Sequence, residues 1–95
     1  NSTRGTASSA WQLGPAGATP AEGRTWIAFE VPRRSAARLE LYDVLGRRVR
    51  VLHEGPAGPG RVRVEVETGS LAPGLYVYRL EAGGRVRTRT LSVVR

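Results

Sequence analysis

Arg61-Val62-Arg63-Val64-Glu65-Val66-Glu67 alternates charge and valine without a break. A period of two puts the three valines on one face of a strand and the four charged residues on the other. A helix would need its apolar positions three and four apart, so this segment reads as a half-buried strand. The same period runs through the neighbouring segments. Over residues 25–31, Ile27, Phe29 and Val31 share a face, and Pro32 ends the run. Residues 37–42 set Leu39 and Leu41 inward and Arg38 and Glu40 outward. Residues 48–53 return with Val49 and Val51 inward. Downstream, residues 74–81 carry Tyr76, Tyr78 and Leu80 on one face and Leu75, Val77 and Arg79 on the other. The last strand spans 85 to about 94. Its apolar residues are Val86, then Leu91 and Val93, and this change of face predicts a bulge near residues 88–90.

The segments between the strands carry turn chemistry. In Asp43-Val44-Leu45-Gly46 the aspartate can accept from the backbone two residues on, and Gly46 supplies a left-handed exit. Residues 55–60, Gly-Pro-Ala-Gly-Pro-Gly, read as a loop. Residues 68–73 form a corner, with Gly74 opening the next strand, and Ala82-Gly83-Gly84 makes a tight hairpin turn. No segment shows an apolar stripe at helical spacing. Six to seven short antiparallel strands with turns every 8–12 residues predict an all-β fold, a single antiparallel Ig-like β-sandwich.

Ninety-five residues allow one domain. The periodic part begins at residue 25, so the sandwich is read as residues 25–95. Residues 1–24 form an extended tail in which 17 of the 24 are Gly, Pro, Ala, Ser or Thr. Only Trp11 and Leu13 offer sizeable apolar surface there, too little to offset the ordering entropy of the segment by self-packing. The tail therefore reads as a linker, or as a segment laid along a partner. The chain has no methionine, so Asn1 is not a translation start, and the expectation is a processed or excised piece of a longer protein.

Several kinds of chemistry lack their residues. Without cysteine there is neither a disulfide framework nor a thiolate metal site. One histidine (His53) and one aspartate (Asp43) are present. A triad would need both to converge on Ser35, Ser70 or Ser92, yet Asp43 is occupied by its turn. His53 and Glu54 are the one adjacent pair suited to zinc, which takes three or four ligands. The glycines of residues 55–60 are interrupted by two prolines and followed by strand, which is no phosphate cradle. The reading is no enzyme, no metal and no cofactor. Asn1-Ser2-Thr3 fits a glycosylation acceptor in form. No run approaches the ~18 apolar residues of a membrane-spanning helix.

All 15 basic residues are arginine, against eight acids, giving a formal charge of +7. Such a balance attracts anionic partners. Nucleic acid is disfavoured, because single-strand binders need exposed aromatic platforms. Tyr76, Tyr78 and Phe29 have core spacing, leaving only Trp26 and Tyr42 among the polar residues. A protein partner in a larger assembly, with a membrane surface nearby, fits better. Trp11 would anchor the tail, with Leu13 and Trp26 beside it. The guanidinium groups of Arg47, Arg48, Arg85, Arg87 and Arg89 would pair with carboxylates or lipid phosphates. Asp43, Gly46 and Gly74 are read as turn-forming residues.

Three stretches carry a family resemblance. Leu39-Glu40-Leu41-Tyr42-Asp43-Val44-Leu45-Gly46-Arg47-Arg48-Val49 resembles the tyrosine–aspartate hairpin of a group of bacterial extracytoplasmic sandwiches. Leu71-Ala72-Pro73-Gly74-Leu75-Tyr76-Val77-Tyr78-Arg79-Leu80 is similar to a later strand of the same group, and residues 89–95 to its basic, valine-rich last strand. These are the C-terminal sorting domains of the type IX secretion pathway and the related Ig-like domain of the flagellar hook-cap protein. The resemblance covers about residues 25–95 and implies an extracytoplasmic location, in the periplasm or at the cell surface. With that location, the favoured reading is a non-catalytic interaction or structural module docked onto a larger envelope or membrane-associated assembly. A C-terminal sorting domain is the second reading, and a carbohydrate- or nucleic-acid-binding module the third.

Overall fold

The computed structural model describes residues 11–94; the Asn1-Ser2-Thr3 acceptor and the first ten residues of the proposed tail lie outside the described residues. Seven strands follow one another: β1 (Gln12–Leu13), β2 (Arg24–Val31), β3 (Ser35–Asp43), β4 (Arg48–Ala57), β5 (Gly60–Glu67), β6 (Gly74–Ala82) and β7 (Arg85–Val93). They form two antiparallel sheets, ordered β1-β2-β5 and β4-β3-β6-β7. Among the described residues there is no helix. The expected Ig-like β-sandwich is what the chain builds.

The alternation places the core. Ile27, Phe29 and Val31 from β2 face Leu39 and Leu41 from β3 and Tyr76, Tyr78 and Leu80 from β6, all buried. Val66 is buried with them, and Val62 and Val64 pack against the same cluster. At the β5–β6 corner the Tyr76 hydroxyl donates to the Ala72 carbonyl at 2.5 Å. This is the tyrosine corner of Ig-type sandwiches, in which a tyrosine at the start of a strand ties down the backbone just upstream.

Four expectations need correction. First, Val49 and Val51 are 40% exposed rather than inward. Register shifts between Leu39/Glu40 and Leu41/Tyr42 add an extra residue to β4 each time. Each bulge inverts the side-chain alternation, so His53 and Arg50 stand opposite Leu39 and Leu41. Second, residues 55–57 are strand, paired with Ala37, Ala36 and Ser35. An edge strand tolerates Pro56 because its missing N–H is not needed on the free side. Third, β7 carries no bulge, since all nine residues pair with β6 in one unbroken register. Arg85, Arg87, Arg89, Leu91 and Val93 share one face, and the apolar content of that face simply begins at Leu91.

The fourth correction concerns the tail. Leu13, Ala16 and Ala21 are buried in the core cluster. Residues 12–13 pair with Phe29 and Glu30 of β2. The chain then crosses the side of the sandwich, and Ala21 bridges Val93 in parallel. Its amide donates to Ser92 at 2.7 Å, and the Val94 amide donates to its carbonyl at 2.9 Å. The sandwich therefore includes residues 11–23. The contacts that the segment cannot make with itself come from the sandwich.

Candidate docking surface

Five of the predicted partner-binding residues gather on one side. On β7, Arg85, Arg87 and Arg89 stand opposite Ala82, Leu80 and Tyr78 of β6 and thus project from the core-side face of their sheet. Of the other sheet, among the described residues, it is β1, only two residues long, that meets this half of β7. The arginines meet the N-terminal segment. Arg85 lies 5.9 Å from the Trp11 ring centroid, and Arg89 donates to the Leu13 carbonyl at 3.0 Å. Residues 11–15 with Arg87 and Arg89 line an open cleft of about 400 Å³.

Trp11 itself is half-buried and packs against the core. Its ring takes up the space that a Cβ on Gly83 would fill. Leu13, 6% exposed, is a core residue rather than a partner anchor. Next to it the largest fully buried side chain, Tyr78, donates its hydroxyl to the Gly14 carbonyl at 2.8 Å. Burial pushes the Tyr78 phenol above its ordinary range, as expected when the charged form loses water.

Arg47 and Arg48 lie elsewhere, at the β3–β4 hairpin. Asp43 Oδ1 accepts from the amides of Leu45 at 2.9 Å and Arg47 at 3.0 Å, while Oδ2 pairs with Arg47 Nε at 2.9 Å. The Arg47 amide does most to hold the Asp43 carboxyl below its ordinary range. This lacing leaves Val44 and Leu45 at the tip, 66% and 72% exposed. Arg48 belongs to the outer face of the four-stranded sheet, where it pairs with Glu40 at 2.9 Å.

Sequence reading did not single out Glu40, although it sits between two outward-facing residues. It is 3% exposed on the solvent side of its sheet. Its carboxylate accepts from the Tyr42 hydroxyl at 2.7 Å and has Arg38 at 4.0 Å and Arg79 at 3.9 Å. The Tyr42 hydrogen bond, followed by that of Arg48, holds Glu40 below its ordinary range. The side chains of its neighbours cover it, a result of sheet register that no period-two pattern reveals.

Trp26 faces outward on the other sheet, its ring on Gly17 and Arg63 4.3 Å from its centroid. The ring is thus already engaged from within the chain. Gly46 (φ 82°) and Gly74 (φ 151°) sit at the turns expected of them. His53 stands opposite Leu39, four positions along β3 from Asp43, or about 13 Å at strand rise, and its ring meets Phe29 edge-on. The two therefore do not converge. Among the described residues no group of three or more His, Cys, Asp or Glu could hold a metal ion, and no helix is long and apolar enough to cross a membrane.

Residues 19–94 match a protein-family model described as a secretion system C-terminal sorting domain. No curated protein matches the chain.

Proposed function

The chain belongs to the family of secretion system C-terminal sorting domains, and we propose that it is the export address of a larger secreted or cell-surface protein, read by type IX machinery. The observation that carries this reading is the extent of the match. It begins within the N-terminal crossing segment and runs through β7, taking in both sheets. The match supports sorting ahead of the accessory-subunit reading that charge and tail favoured. Both readings need a rigid, non-catalytic surface that a partner recognises. The laced Asp43–Arg47 hairpin and the arginines of β7 are suited to that task.

The test is a fusion. The 95-residue chain is attached to the carboxyl end of a fluorescent reporter carrying a signal peptide, in a bacterium with a type IX system. The expected result is reporter at the cell surface or in the medium, and periplasmic retention when the translocation system is disabled. Retention in the intact strain, equal to that of reporter without the domain, would overturn the proposal.

A further inference from the structure

The free edge of β7 differs from the other sheet edges. β4 is interrupted by two bulges and carries Pro56, devices that discourage strand addition. β1 is two residues long. At β5 the Arg50 guanidinium reaches across from β4 to donate to the Glu67 carbonyl. β7 is nine residues long and in continuous register with β6. On its outer side, among the described residues, only Ala21 bridges it, at Val93. Among the described residues no strand pairs with the outer side of residues 85–90, where the Arg87 guanidinium donates to the Val86 carbonyl at 3.1 Å, a contact that an added strand would displace.

The side chains along that edge specify what would fit. Arg85, Arg87 and Arg89 line one face, and Val86, Thr88 and Thr90 line the other. A strand added alongside places its residues directly opposite these, so one alternate set meets guanidinium groups and the other meets β-branched side chains. A second copy of the chain is a poor occupant, because antiparallel pairing about Arg87 would set Arg85 against Arg89 and Arg87 against itself. We propose that the β7 edge accepts, as a fifth strand, an extended segment of a partner protein in which acidic residues alternate with Thr or Val. Main-chain hydrogen bonds supply the affinity and the arginine row selects the partner. The inference goes beyond the sorting reading and holds whether or not the domain is an export address.

The experiment uses the full chain, isotopically labelled, and the capped peptide Thr-Glu-Val-Glu-Thr-Glu-Thr. Amide hydrogen exchange is followed by NMR with and without peptide. The expected result is rapid exchange at alternate amides of residues 85–90 in the free chain. Those amides become protected on titration, and affinity falls steeply towards about 1 M salt. The double variant Arg85→Glu/Arg87→Glu leaves the Arg89–Leu13 bond in place. It should weaken the acidic peptide by about tenfold or more and should bind the Lys-for-Glu peptide instead. Protection of these amides in the free chain would show that the chain covers its own edge and would overturn the proposal. So would peptide-induced changes outside β7, or equal binding of both peptides by the parent chain. Loss of acidic-peptide binding in a folded double variant without gain of the Lys peptide would also overturn it.

Discussion

The hydroxyl of Tyr76 and the carbonyl of Ala72 lie 2.5 Å apart, joining the first inward residue of β6 to the corner that precedes it. Tyr76 is 6% exposed, so its hydroxyl has little access to water as a substitute. Tyr76→Phe keeps the ring in the core and removes only this bond. The expected cost is about 0.5–1.5 kcal/mol, the net worth of a hydrogen bond in folding. Urea unfolding would show it as a lower midpoint at unchanged slope. An unchanged midpoint would mean that the other bonds of the corner, from Thr68 to Gly23 and from Leu71 to Thr68, hold it without the tyrosine hydroxyl.

Leu13 separates the two views of the N-terminal segment most cleanly. If residues 11–23 were a spacer, Leu13→Ala would leave stability untouched. Leu13 is in the core cluster with Phe29 and Tyr78, so truncation should cost about 2–5 kcal/mol, the range for buried leucines. Thermal unfolding of the 95-residue chain decides between them. Trp11→Ala should likewise lower the melting temperature, since the ring is packed on the core and against Gly83.

Strand identity was legible where one face packs on the core, as on β2 and β6 and on the half-buried valine face of β5, because burial enforces the period of two. The strands β4 and β7 were legible too, but not the facing of β4, where bulges shift the phase, nor the unbroken register of β7, where arginines occupy the core-side face. Neither a bulge at an edge nor a face left uncovered by a short opposing strand has a local sequence signature. The hairpin residues Asp43 and Gly46 were readable because their roles are local. Glu40 was not, since its surroundings combine its own strand (Tyr42), the next strand (Arg48) and a strand far along the chain (Arg79). Composition concealed the N-terminal segment. Ala16 and Ala21 are buried through close approach to the sandwich, although alanine contributes little to a hydrophobicity pattern.

Gly46 tests the hairpin. Its φ of 82° lies in the left-handed region, and a Cβ there would meet nothing within 4 Å. Any penalty is therefore conformational rather than steric against neighbours. Gly46→Ala should cost about 1–2 kcal/mol, and Gly46→Val more, because a branched Cβ resists positive φ. Equal melting temperatures for the parent and the valine variant would refute the turn geometry.

Acid should weaken the fold through Glu40 and Asp43. Both carboxylates are held below their ordinary values, Glu40 chiefly by the Tyr42 hydroxyl and Asp43 chiefly by the Arg47 amide. A depressed folded-state pKa means that the unfolded chain binds the proton more readily. The stabilisation is thus complete above the unfolded values, about 4.3 for Glu and 3.9 for Asp. It is lost progressively as pH falls through the lower folded values. The melting temperature should therefore hold steady from neutrality to about pH 5 and decline below it. Glu40→Gln with Asp43→Asn should lower the neutral-pH melting temperature and flatten the acid limb, because the coupled protons are gone. A parent curve that stays level down to about pH 2, or a double variant with an equally steep acid limb, would show that these two carboxylates do not govern acid stability.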